Sequence, residues 1–113
     1  YSNPPIHGGK VVATVLSTPE LRALWEEELA GMRVRIRAMR DAFVAKLKEK
    51  APGHDFAFVR EQVGMFSYSG LSKSQVDALR AESIYAVDTG RICVAALNSK
   101  NIDRVIDAIT KVL

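Results

Sequence analysis

The feature that most constrains this chain is a single apolar stripe. Leu21, Trp25, Leu29, Met32, Ile36, Met39, Phe43 and Leu47 follow one another at steps of four and three, the spacing that keeps side chains on one face of an α-helix. Ser17-Thr18-Pro19-Glu20 supplies its start: a hydroxyl cap, a proline in the first turn and an acid near the positive end of the dipole. Lys46, Lys48 and Lys50 stand at the carboxyl end, where cations suit the dipole, and Pro52-Gly53 stops the helix. At 1.5 Å per residue, such a helix of about 30 residues is ~45 Å long. That is too long to lie over a core built only from the residues that follow. It is expected to run between two lobes or against another chain. Gly31, costing roughly 1 kcal/mol relative to alanine in mid-helix, marks a close approach or a bend.

Shorter elements flank it. Residues 8–16, GGKVVATVL, crowd their apolar side chains and read as a short, largely buried helix. Phe56 and Phe58 alternate with Ala57 and Val59, a strand pattern. Residues 64–70, GMFSYSG, form a second short strand or an irregular turn. Ser72 with Gln75 makes a capping box that opens a helix over residues 74–82 and buries Val76 and Leu79. Residues 84–87 are expected as a strand, 88–90 as a turn and 91–97 as a further strand. The last helix turns Ile102, Val105, Ile106, Ile109 and Val112 inward, with Asn98 or Ser99 as its cap. The class is α/β, an α+β-like arrangement: a long connecting helix, then a small β-sheet layered with helices.

Composition removes several functions. In 113 residues, 48% are apolar and 26% charged, so the chain carries a core and is one domain or part of one. The net charge is +3, with basic and acidic residues interleaved, whereas a nucleic-acid module concentrates its cations. Cys93 is the only cysteine and lies in the apolar run Ile92-Cys93-Val94-Ala95-Ala96. It reads as a buried strand residue in a reducing, cytoplasmic compartment. No apolar stretch approaches the ~18 residues of a membrane span, and no signal peptide is visible. The opening Tyr1-Ser2-Asn3-Pro4-Pro5, a Pro-rich turn without methionine, reads as the middle of a longer protein.

Few side chains are placed for chemistry. His7 and His54 lack partners at metal-ligand spacing, so no metal site is expected. Ser2, Ser67, Ser69 and Ser72 have no nucleophile-elbow context, and no G-x-G-x-x-G cradle occurs. Arg91 stands apart, following a Thr89-Gly90 turn and entering an apolar strand. A guanidinium mounted there can hold a carboxylate through two parallel hydrogen bonds. It can equally pair with a local acid such as Asp88, or stand exposed. Phe66 and Tyr68 suit a ligand pocket or a core. Arg33, Arg35, Arg37 and Arg40 form a basic cluster on the long helix. A free-standing interaction module would use it to bind an acidic partner, but Glu26, Glu27 and Glu28 precede it and a solvated face is the simpler reading.

In combination, four segments are specific: YSNPPIHG, the run VVATVL with LRALWEEEL and MRVRIRAMR, GMFSYSGLS, and TGRICVAALN. In this order they resemble the carboxyl-terminal stretch of the aspartate and aromatic amino-acid aminotransferases, class I, fold-type I enzymes that use pyridoxal 5'-phosphate (PLP). The resemblance covers essentially the whole chain. It implies transfer of an amino group between an amino acid and a 2-oxo acid, in a cytoplasmic homodimer. By this resemblance Arg91 binds the substrate α-carboxylate, Phe66 walls the pocket, and Ser2 and Asn3 reach toward the neighbouring subunit's active site. Residues 1–18 then end the large cofactor domain, 19–50 form the inter-domain helix, and 51–113 form most of the small domain. The Schiff-base lysine belongs to the amino-terminal part, and none of the seven lysines here matches its motif. This stretch alone is therefore expected not to transaminate. The chain departs from the family at Arg80-Ala81-Glu82-Ser83-Ile84-Tyr85, one residue shorter than the usual R-E-E-F-G-V-Y, and at Ala96, which replaces a common glycine.

Overall fold

A computed structural model describes residues 3–113. It divides into two compact units, Tyr1–Arg35 and Ile36–Leu113. The elements are α1 (Ile6–Ser17), α2 (Pro19–Lys50), α3 (Phe58–Glu61), β1 (Phe66–Tyr68), α4 (Lys73–Ala81), β2 (Arg91–Cys93), a 3₁₀ turn (Val94–Ala96) and α5 (Ile102–Val112). Among the described residues the sheet has two strands, β1 and β2, both in the second unit.

In the first unit α1 is helical as expected, but it buries no residue. Val12 is 58% exposed, and Ile6, Val11 and Leu16 are exposed as well. The apolar residues sit all around this helix, and the unit has too little other surface to cover them. Along α2 the stripe divides. Leu21, Trp25 and Met32 are exposed, whereas Phe43, Val44 and Leu47 are buried. A Cβ added at Gly31 would meet nothing within 4 Å, so no close approach accounts for that glycine.

The core belongs to the second unit. Phe43, Leu47, Val59, Val76, Leu79, Val94, Ile106 and Ile109 are all but fully buried, each such side chain contributing roughly 1.5–3 kcal/mol. Phe43 meets Phe56 edge to face at 6.5 Å. Lys46–Asp103 at 2.7 Å and Lys50–Asp107 tie α2 to α5 on the surface. Helix α4 starts on the full capping box: the Ser72 hydroxyl accepts from the Gln75 N–H while the Gln75 side chain accepts from the Ser72 N–H.

Four expectations about local structure need correction. Residues 56–59 are not a strand. Asp55 Oδ1 accepts from the Ala57 N–H at 2.8 Å, and the Val59 and Arg60 amides then bond to the Phe56 and Ala57 carbonyls, turning the chain into α3. This is local side-chain competition with extended backbone. Residues 84–87 form no strand, because the sheet offers them no partner and Tyr85 is 81% exposed. The expected strand 91–97 stops at Cys93, where the Val94 and Ala95 amides both turn to the Met65 carbonyl; Cys93 itself is half-buried rather than buried. Finally, the residue flanking the start of α5 is Asn101, not Asn98 or Ser99. The Asn98 side chain instead accepts from the Lys100 N–H at 2.9 Å.

Residues 79–84 close α4 tightly. The Ile84 amide reaches the Leu79 carbonyl and the Ser83 amide reaches that of Arg80, both at 3.0 Å. This is the Schellman pattern, in which the residue past the helix adopts a left-handed conformation. Here that residue is a serine, Ser83, with φ 59°.

Candidate functional site

Strands β1 and β2 pair antiparallel with Phe66 opposite Cys93, Ser67 opposite Ile92 and Tyr68 opposite Arg91. Side chains alternate across a sheet and directly paired residues share a face. Phe66, Tyr68, Arg91 and Cys93 therefore stand on one face, with Ser67 and Ile92 on the other. The first face is open, Phe66 being 48% exposed and Arg91 exposed too. The second is closed, since Ser67 is buried.

The Arg91 guanidinium carbon lies 5.1 Å from the centre of the Phe66 ring, a cation–π contact that holds the planar fork against a flat apolar support. Arg91 and Phe66, paired in the family resemblance, are thus neighbours. Asp88, the local acid weighed as a partner, is engaged elsewhere: Arg80 bonds it and Lys73 lies 3.6 Å away. The Arg80 hydrogen bond, then its charge and that of Lys73, hold the Asp88 carboxyl below the usual carboxylate range. Among the described residues no carboxylate or other acceptor takes the N–H donors of Arg91.

The sheet is braced at each side. Gly90, with φ +80°, makes the turn before Arg91, and its carbonyl accepts from both the Ser69 N–H at 2.9 Å and the Ser69 hydroxyl at 2.7 Å. The Gly90 amide donates to the Val87 carbonyl at 2.8 Å. On the free edge of β1, the Gln62 side chain acts as a substitute strand: its Oε1 accepts from the Tyr68 N–H at 2.7 Å and its Nε2 donates to the Tyr68 carbonyl at 3.1 Å. Tyr68, read from the sequence with Phe66 as pocket or core, is an exposed strand residue, whereas Gln62 and Ser69 carried no site signal in the sequence. The FSYS alternation places Phe66 and Tyr68 on one face.

Arg40 corrects the reading of the basic cluster. Arg33, Arg35 and Arg37 are exposed, but Arg40 is 5% exposed. It lies three or four residues from Ile36, Phe43 and Val44, on the apolar stripe itself, and that spacing was the available signal. Asn3 is exposed in the first unit, and Ser2 lies outside the described residues. Two surface concavities, one beside His54, Asp55 and Leu113 and one beside Lys48, Gly53 and Arg60, are lined by neither Arg91 nor Phe66.

Among the described residues no three of His, Cys, Asp and Glu converge to hold a metal. Four of the lysines, Lys46, Lys50, Lys73 and Lys111, are paired to carboxylates on the surface, and no lysine stands on the face of Arg91.

A family profile described as aminotransferase class I and II matches residues 1–109. The aspartate aminotransferase of Pseudomonas aeruginosa is 59% identical over 114 aligned positions, covering 100% of this chain and 29% of that protein. The aromatic-amino-acid aminotransferase of Escherichia coli is 46% identical with the same coverage, 100% and 29%. The crystal structure of the aromatic-amino-acid aminotransferase from Burkholderia pseudomallei, covalently bound to pyridoxal phosphate, superimposes with a TM-score of 0.95 at 61% identity. It too covers 100% of this chain and 29% of its own. The chain thus spans less than a third of the length of the relatives it matches.

Proposed function

This chain belongs to the family of class I and II aminotransferases, and we propose that it is the carboxyl-terminal part of a PLP-dependent aspartate or aromatic amino-acid aminotransferase. In that enzyme Arg91 binds the α-carboxylate of the amino acid and, in the return half of the reaction, of the 2-oxo acid. One observation carries the assignment: Arg91 lies over the Phe66 ring at 5.1 Å, with no acid among the described residues on its donors. A guanidinium so mounted is ready for a bidentate carboxylate.

The cofactor, when bound, supplies the electron sink for amino-group transfer. This chain supplies no lysine to hold it. Its own residues bind and orient. Arg91 fixes the carboxylate end of the substrate, which sets the direction of the Cα substituents. Phe66 keeps the guanidinium from swinging and removes water from one of its faces, which strengthens the ion pair. Residues 1–18 belong to the large cofactor domain in this reading, 19–50 to the connecting helix and 51–113 to the small domain. The exposed apolar residues of α1 and of early α2 suit burial against the remainder of the subunit. In this reading the intact enzyme is a homodimer in which Ser2 and Asn3 reach toward the neighbouring subunit's active site, and a single free cysteine suits a cytoplasmic enzyme.

In the intact enzyme, Arg91→Lys keeps the charge and loses the fork. The expected loss in kcat/KM is about 2–5 kcal/mol of transition-state binding, measured by steady-state kinetics with both substrates. Unchanged kinetics would remove Arg91 from the site. The isolated chain, incubated with PLP, an amino acid and 2-oxoglutarate, is expected to form no keto-acid product, and turnover by it would contradict the reading.

A further inference from the structure

We propose that Arg40 is a positioning residue for the carboxylate site, clamping the closed face of β1 so that Phe66 and Arg91 are presented together on the open one. The inference rests on the reading of Arg91 given above.

Arg40 donates to the Ser67 hydroxyl oxygen from Nε at 3.3 Å and from Nη2 at 3.0 Å, and Nη2 also donates to the Gly64 carbonyl at 2.8 Å. Ser67 is the middle residue of β1 and is 2% exposed. Gly64, with φ +81°, turns the chain into that strand. One planar group on α2 therefore fixes both the entry and the centre of β1. Phe66 and Tyr68 flank Ser67 and project the other way, and β2 with Arg91 is in register with them.

Among the described residues no carboxylate pairs with Arg40. A buried cation answered only by neutral oxygens recovers its desolvation poorly, so the clamp is a weak device for stability alone. What it provides is direction, because a rigid fork accepts its acceptors in one orientation. A shift of β1 by an ångström moves the Phe66 ring from under Arg91, and misplacement on that scale costs up to about 100-fold in rate.

The test uses the intact enzyme with Ser67→Ala, Arg40→Lys, Arg91→Ala and the double variant Ser67→Ala/Arg91→Ala. Calorimetry measures the affinity of two unreactive carboxylates, succinate and 3-phenylpropionate, beside KM, kcat and the thermal midpoint. Ser67→Ala removes two of the three clamp bonds and leaves Arg40 on the Gly64 carbonyl, and the thermal midpoint separates lost affinity from lost folding. It is expected to weaken the better-bound carboxylate and raise KM by about ten-fold, as is Arg40→Lys. Adding Ser67→Ala to Arg91→Ala should cause no further loss, since both act through one contact. Full affinity in Ser67→Ala and Arg40→Lys, or losses that add in the double variant, would overturn the positioning role while leaving Arg91 in its place. Full affinity of both carboxylates in Arg91→Ala would instead overturn the site reading, and this inference with it.

Discussion

Gly90 gives the sharpest structural prediction, because its position is constrained twice. Its φ of +80° is left-handed, and a Cβ built there lies 2.7 Å from the Leu71 carbonyl oxygen and 3.3 Å from a ring carbon of Tyr68. The left-handed conformation costs an alanine about 1–2 kcal/mol. The contact is with backbone, so the turn itself must shift, adding about 1–3 kcal/mol as overpacking. Gly90→Ala is therefore expected to destabilise by about 2–5 kcal/mol in total. The shift also strains the two bonds from Ser69 to the Gly90 carbonyl, so Arg91, the next residue, should move and KM should rise. Denaturant titration of the wild-type and variant proteins measures the first effect and steady-state kinetics the second. Gly53→Ala is the control: its Cβ meets nothing within 4 Å, and an effect within about 0.5 kcal/mol is expected. A Gly90→Ala protein as stable as that control would refute the steric argument.

Replacing Ser72 by alanine removes the hydroxyl of the capping box and should cost about 1 kcal/mol in a denaturant midpoint; no change would show that the cap is redundant. Ser83→Gly relieves the left-handed serine at the end of α4 and should stabilise by up to about 1 kcal/mol; a loss would mean that the serine hydroxyl has an unrecognised partner. The lowered pKa of Asp88, set first by the Arg80 hydrogen bond, and that of Asp103, set first by Lys46, contribute stability in full above the unfolded carboxylate pKa of about 3.9. That contribution disappears as pH falls through the lower folded values. Lys50 and Lys73, raised first by hydrogen bonds to Asp107 and Asp77, contribute fully below about 10.4 and lose it as pH rises through their folded values. The midpoint difference between wild type and Asp88→Asn should therefore be level near neutrality and vanish in acid; a difference that persists below both carboxylate pKa values would contradict the pairing.

The sequence was most legible where one periodicity decided the outcome. The stripe from Leu21 to Leu47 marked α2, its Ser-Thr-Pro start and its Pro-Gly stop, and the Ser72–Gln75 spacing marked α4. Burial was less legible than helicity: Leu21 and Trp25 continue the stripe, yet the first unit holds nothing to cover them. The short apolar runs failed for a different reason. Whether residues 84–87 or 94–97 stay extended depends on a partner strand elsewhere in the chain, and alternation cannot show that the partner is missing. At 56–59 a single aspartate, Asp55, outweighed the alternating pattern by bonding a backbone amide two residues on. For the proposed site, Arg91 and Phe66 were suggested by the GMFS and GRxxVA segments. Arg40 was concealed among four arginines, although its spacing from Ile36 and Val44 set it apart.

The most direct measurement is a crystal structure of the intact enzyme with an unreactive carboxylic acid bound. Two near-parallel N–H···O bonds of about 2.7–2.9 Å should run from Arg91 to one carboxylate, with the Phe66 ring still beneath the guanidinium. A carboxylate held by other residues, with Arg91 turned to solvent, would contradict the assignment.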